Sequence, residues 1–376
     1  VSPVEPVLLW ALNTDAAGET GIGRYVRELT KALFGRPRRL DYELCAPAGG
    51  EPTWLPEGRS VRRVKGPRRV VHGAWTVAGW PPIERLAGNA ALVHALHPAF
   101  PVPTRSPFVL TLHDVFPITN PEWYRPRVLP GFRRALARAE QTAVALVAVS
   151  SETARAAEEC FPGLRGRITV IPNGISDRFR VHVPNDEVTA ACAGIGVERG
   201  RYVMALGGVV SRKNLPLLVR ALARSRSGLR LVIVGPDGNG VAALDAALDD
   251  EGMRERVVRL GWLPTDQVVA LLAGAAALGH AAEAEGFGFT PLEAMAVGTP
   301  AIVSQSAALD EIVGDHAVLL PPDPDQWAAA FDRAATDESW RSQAVAAGRL
   351  WASTFTWERT ADATAALHDE VLEARR

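Results

Sequence analysis

Short apolar runs alternate with amphipathic stretches along almost all of the 376 residues, and this alternation restricts the possible folds more than any other feature. Strand candidates fall at 7–12, 42–46, 91–96, 108–113, 145–150 and 168–171 in the first half, and at 202–206, 229–234, 257–260, 301–304 and 317–320 in the second. Helical periodicity fills the intervals, as at 24–34 and 131–142. A strand that is apolar on both sides must be covered on both, so this pattern predicts parallel sheets between layers of helices. The length predicts two domains. The polar, Gly-containing stretch 181–201 reads as their connection, with a short helix inside it, leaving 1–180 and 202–356 as the domains.

The formal net charge of −1 gives no general pull toward nucleic acid. The chain is rich in Ala and Arg but has only Lys31, Lys65 and Lys213 as lysines, a bias that resembles a GC-rich bacterial genome. Cys45, Cys160 and Cys192 are scattered and form no C-x-x-C pair, which argues against a disulfide framework or a zinc site and suits a reducing cytosol. The first residues lack the basic start and cleavage site of an export signal. The longest apolar stretch, 268–282, is interrupted by Gly274, Gly279 and His280 and is too short to span a bilayer. The expected setting is cytoplasmic, with contact at the inner membrane face left open.

Residues 280–300 read HAAEAEGFGFTPLEAMAVGTP. Glu285 and Glu293 bracket the turn Gly286-Phe287-Gly288. Thr290 fits an N-cap, Pro291 the first helical position, and Glu293 a capping-box carboxylate. Gly298 and Pro300 end the helix. A free helix N-terminus favours an anion, a phosphate above all, and Glu285 beside it can accept hydrogen bonds from hydroxyls. Upstream, residues 204–216 read MALGGVVSRKNLP. There Arg212 and Lys213 set a guanidinium and an ammonium where the chain leaves a strand, a pair suited to a diphosphate, against the alternative of a solvated loop.

These strings resemble the E-x7-E signature and strand–G-x-x-x-x-KN pattern of the retaining glycosyltransferases of family GT4. The resemblance covers nearly the whole chain and is strongest over 202–322. It implies the GT-B architecture: α/β, two Rossmann-like doubly wound domains facing each other across a cleft. It also implies that the final helix, 357–374, packs back on the first domain. The implied enzyme is a hexosyltransferase that needs no metal and no cofactor beyond its nucleoside-diphosphate sugar co-substrate. GDP-mannose is the closest general likeness, and the acceptor would be a hydroxyl of a glycan, a lipid-linked carrier or a secondary metabolite. Arg212 and Lys213 would hold the diphosphate, Glu285 the sugar hydroxyls and Glu293 the ribose. Whether Glu293 caps its helix or binds ribose stays open. Amides near Phe289, Thr290, Pro291 and Leu292 would hold a phosphate oxygen, after the Gly286-Phe287-Gly288 turn. The turn at Gly208 leads into the diphosphate segment. Turns at Gly235 and at Trp262-Leu263 would flank the base, with Trp262 either stacking on it or merely packing.

In the first half, Gly21-Ile22-Gly23-Arg24 reads as a turn ahead of a helix and resembles the family loop that reaches donor phosphate and acceptor. His113 and Asp114, at a strand end, would face sugar or acceptor by the same resemblance; an isolated His at such a place is commonly structural. Asn173 lies in a turn that matches the family's IPNG and is counted on the acceptor side, though Asn-Gly is itself a turn former. Arg59, Arg62, Arg63, Lys65, Arg68 and Arg69 form a basic run followed by Trp75 and Trp80, either an exposed loop or a docking face for an anionic lipid carrier or phosphorylated acceptor. The competing functions are a nucleotide-sugar epimerase, a pseudo-glycosyltransferase, or a silent sugar-nucleotide-binding subunit.

Overall fold

The computed structural model describes residues 5–12, 20–35 and 38–375. Residues 1–4 and 13, part of the stretch read for an export signal, lie outside them. The chain forms two compact units: residues 1–174 with 356–376, and residues 175–355.

The first unit holds a seven-stranded parallel sheet. Its strands are β1 (Val7–Trp10), β2 (Tyr42–Ala46), β3 (Val61–Arg63), β4 (Leu92–Ala95), β5 (Phe108–Leu112), β6 (Ala143–Ala148) and β7 (Ile168–Val170), in the order β3-β2-β1-β4-β5-β6-β7. The second unit has β8 (Tyr202–Leu206), β9 (Arg230–Val234), β10 (Val257–Leu260), β11 (Ala277–His280), β12 (Ala301–Ser304) and β13 (Val318–Leu320), ordered β10-β9-β8-β11-β12-β13 and again all parallel. Strands β1, β4, β5, β11 and β12 are buried end to end, as apolar runs covered on both faces must be. Each sheet reverses direction beside its first strand, between β1 and β4 and between β8 and β11. The strand ends at such a switch point open into a crevice, so the sequence order alone places a site in each unit.

Residues 181–201, expected as a connection, contain a helix, Asn185–Gly194, that packs on the Thr265–Gly274 helix inside the second unit. Tyr202 and Cys192 lie at their junction, with the Tyr202 hydroxyl donating to Leu271 O. The Trp357–Glu373 helix belongs to the first unit and packs along the Gly21–Phe34 helix.

Two strands escaped the pattern. β3 is a three-residue edge strand with two arginines. β11 follows directly on the Thr265–Gly274 helix, so helix and strand merge into one apolar run.

Candidate functional site

In the second unit the switch point gathers charge. β8 ends at Leu206, and Gly207 turns the chain at φ 126°. That left-handed φ favours glycine, and the Lys213 side chain lies in contact range of the turn, its Cε 3.5 Å from where a Cβ would stand. The next turn is as tightly specified: Gly235 has φ 149°, and a Cβ there would lie 2.2 Å from Gly207 O. Only glycine lets these two turns touch. Gly208 sits against Pro236, and Val209 bridges Asp237. The Gly235 amide points at the carbonyls of Leu260 and Gly261, both at 3.1 Å, which ties the third turn, with Trp262 and Leu263, to the second. Trp262 is 56 % exposed, so its ring is not core packing.

Arg212 and Lys213 lie in a single 3-10 turn, Ser211–Lys213, that ends at Asn214 in the left-handed conformation. Both cations converge on Glu285. Lys213 Nζ lies 2.6 Å and an Arg212 Nη 2.9 Å from Glu285 Oε1. Arg212 also donates to Ala284 O at 2.7 Å, and its own carbonyl receives the Glu283 amide. His280, the last residue of β11, brings Nε2 to 3.2 Å from the same oxygen. Burial alone would raise the Glu285 carboxyl, but Lys213 and Arg212 outweigh it and hold it well below the usual carboxylate range. Burial, with Lys213 adding repulsion, pushes His280 down to about 4. His280 is therefore a neutral imidazole beside the carboxylate, and its buried Nε2 makes no hydrogen bond of good geometry within the protein. The cluster is two cations against one anion, a net positive site.

The helix beside it starts earlier than the sequence suggested. It runs Phe289–Val297, with Gly288 as N-cap at φ 106° and no side-chain cap. Thr290 and Pro291 thus fall inside the first turn, and Glu293 in the second, too far along for a capping box. The left-handed glycine starts the helix by itself; a Cβ on it would strike Leu309 Cδ2 at 2.8 Å. Gly288 has no side chain with which to cap the first turn, and a helix N-terminus of this kind favours an anion. Glu293 is 1 % exposed. Phe287 is core, edge-on to Phe289 and Phe355, and Leu292 is fully buried; only the backbone at these two positions is open to a ligand role. Gly286 is buried too.

In the first unit Gly21, Gly23 and Arg24 form the first turn of the Gly21–Phe34 helix rather than a loop ahead of it, because Thr20 caps it, accepting from the Gly23 amide at 3.1 Å. His113 follows β5. Its Nε2 lies 2.9 Å from Leu96 O, and a carbonyl can only accept, so Nε2 carries the proton and Nδ1 is an acceptor. Burial lowers it to about 4. Its ring stacks on His97 and meets Tyr25 edge-on. Asp114 caps the next turn through the Phe116 amide. Asn173 is 1 % exposed, and neither amide atom has a hydrogen-bond partner. Gly174 follows it because a Cβ would sit 2.2 Å from Trp357 N.

The basic run divides. Arg59, Arg62 and Arg63 pair with Asp41, Glu43 and Glu51, while Arg68 and Arg69 begin the exposed side of the Arg68–Ala78 helix. His280 is the site residue that sequence reasoning missed. The available signal was a histidine five residues before Glu285, hidden by the unrecognised β11. No group of three or more His, Cys, Asp or Glu side chains suited to a metal occurs among the described residues, and none of their helices is long and apolar enough to cross a membrane.

Comparison with known proteins covers both units. The model of glycosyl transferases group 1 matches residues 196–351, and that of Glycosyltransferase Family 4 matches residues 20–179. A D-inositol 3-phosphate glycosyltransferase of Stackebrandtia nassauensis is 30 % identical over 246 residues, 61 % of this chain and 55 % of the relative. The O-antigen chain mannosyltransferase B of Escherichia coli is 28 % identical over 256 residues, 66 % of this chain and 67 % of that one. The match thus spans about half to two thirds of these relatives. The crystal structure of Anabaena HepE in complex with UDP and glucose superposes with a TM-score of 0.73 at 18 % identity, over 97 % of this chain and all of that one. The fold is GT-B.

Proposed function

The chain belongs to the group 1, family 4 glycosyltransferases, and from that premise we propose that it transfers a hexose from a nucleoside-diphosphate sugar to an acceptor hydroxyl with retention and without a metal. The observation that carries this reading is the convergence of Arg212 and Lys213 on Glu285 at the β8/β11 switch point, beside a helix N-terminus with no side-chain cap.

A nucleoside diphosphate leaves with growing negative charge, and a pre-oriented guanidinium, ammonium and helix amides stabilise that charge without reorganising. Glu285 keeps both cations in place before donor binds. Its carboxylate also accepts from the sugar hydroxyls, while buried Glu293 takes the ribose. The acceptor proton passes to the leaving phosphate on the face where the new bond forms, so no separate base is required. On the acceptor side, His113 offers Nδ1 as a neutral hydrogen-bond acceptor for a hydroxyl. GDP-mannose is the first donor to try; the name of the mannosyltransferase relative supports the sugar. The UDP in the Anabaena structure makes uracil the main rival base.

The test is nucleoside diphosphate release from a panel of activated sugars, with thermal shift against GDP, UDP, dTDP, ADP and CDP. A ligand at a hundred times its dissociation constant adds about 2.7 kcal/mol. No shift with any nucleotide and no release from any sugar would sink the transferase reading. Release that survives intact in Arg212→Ala would sink the clamp alone.

A further inference from the structure

The first unit carries a second chemical surface that does not depend on the donor reading. Eight large apolar side chains are strongly exposed among the described residues, and four of them, Val70, Val77, Trp80 and Val128, come from two neighbouring segments. Val70 and Val77 stand two turns apart on the exposed stripe of the Arg68–Ala78 helix, at 65 % and 88 % exposure. Its inner stripe, Val71, His72 and Trp75, is buried.

The Leu129–Thr142 helix packs beside it, and Val77, Arg134 and Arg138 line one shallow groove. Arg138 reaches Gly79, and the Arg85 guanidinium lies over the Trp80 ring at 5.7 Å.

Charge on this face has one sign. From residue 58 to 83 and from 123 to 139 the sequence contains no Asp or Glu, in a chain whose acids and bases otherwise nearly balance. Arg59, Arg62 and Arg63 are committed to carboxylates near β3. Arg68, Arg69, Arg134 and Arg138 have no ion pair to a carboxylate among the described residues.

We propose that the exposed face of the Arg68–Ala78 and Leu129–Thr142 helices docks on an anionic lipid bilayer. Free arginines would meet the headgroup phosphates, and Val70, Val77 and Trp80 would enter the interface. A soluble polyanion would satisfy the arginines but gives no reason for exposed valines and a tryptophan among them. An interfacial layer, charged outside and apolar just beneath, satisfies both.

The experiment is flotation of the full chain with vesicles of phosphatidylglycerol or of phosphatidylcholine at low salt. Binding is expected to the anionic vesicles only, and 0.5 M NaCl reverses it. Each basic side chain near such a surface contributes roughly fivefold to partitioning, so Arg134→Gln with Arg138→Gln should lower it about 25-fold. Val77→Ser with Trp80→Ser should lower it about tenfold. All four side chains are exposed, so both variants should melt as the parent does. Absence of binding to anionic vesicles, equal binding to both lipids, or full binding by either double variant overturns the proposal. Displacement by millimolar glycerol phosphate would mean a phosphate pocket instead. Heparin binding as tight as vesicle binding, indifferent to the Val77/Trp80 change, would mean a polyanion site.

Discussion

In the first unit a set of buried polar groups forms a neutral chain linking strands β5, β4 and β2, whereas in the second a set forms an ionic knot at the ends of the central strands β8 and β11. The chain runs from the Tyr25 hydroxyl to Thr111 at 3.0 Å, on to His94 at 2.8 Å, to His368 at 3.0 Å and to the Tyr42 hydroxyl at 3.2 Å. Burial holds both histidines uncharged, His368 down to about 3 and His94 well below its ordinary value, with His368 adding to the effect; it also raises both phenols. With each histidine donating through one ring nitrogen and accepting through the other, the chain pairs both imidazoles at no cost in charge. The knot of Arg212, Lys213, His280 and Glu285 works the other way. It buries charges that only their partners make tolerable, and it leaves one positive charge for a ligand. Neutral networks suit a scaffold; an unbalanced ionic one suits a site.

The comparison can be broken most sharply at Lys213. Lys213→Met leaves Glu285 with one cation fewer and should cost about 3 kcal/mol, measured by denaturant midpoint. It should also cut diphosphate release roughly 100- to 1,000-fold. His368→Leu strands His94 Nδ1 and the Tyr42 hydroxyl in the core of the first unit, for about 2 kcal/mol or slightly more, with the second unit's hydrogen-exchange protection unchanged.

A third prediction separates the units by pH. A histidine whose folded pKa lies below its unfolded value binds fewer protons folded. Its contribution is whole above about pH 6.5 and drains as pH falls toward the folded value. His72, His94, His97, His113 and His368 all shift this way in the first unit; in the second only His280 is resolved as doing so. His368 alone should cost about 2 kcal/mol by pH 5. Glu285, lowered instead, keeps its contribution until pH falls below about 4.3. Exchange protection should therefore fail first in the first unit between pH 6.5 and 5; simultaneous loss would refute the contrast. The smallest effect is expected at Trp262. Removing its exposed ring by Trp262→Ala should change stability by under about 0.5 kcal/mol while weakening nucleotide binding by about 1 kcal/mol if the ring stacks on the base.

Much of this was legible because hydrophobic period is a strong signal where strands are central. β2, β8, β10 and β12 lie where the apolar runs predict them, and the Arg-Lys pair and Glu285 do meet. Legibility failed where signals compete. β3 has too few residues to show a period. β11 fuses with the preceding helix into one alanine-rich run, and His280 vanished with it. Helix starts were misplaced by one rule. A side-chain cap was sought at Thr290 and a loop before Arg24, but a left-handed Gly288 and the cap Thr20, four residues before Arg24, set those boundaries. The neutral chain was invisible for another reason: directly bonded members lie up to 326 residues apart, and only the fold brings them together.

That separation bears on how the protein is made. His368, Trp357 and Thr360 supply contacts that the first unit cannot obtain from residues 5–174. On a ribosome the whole second unit is polymerised between the two parts, a delay of roughly ten to forty seconds. The half synthesised first is thus the half completed last. Until then the nascent first unit carries an open seam along the Gly21–Phe34 helix, with His94 facing it, a surface for a chaperone to cover while its neighbour folds.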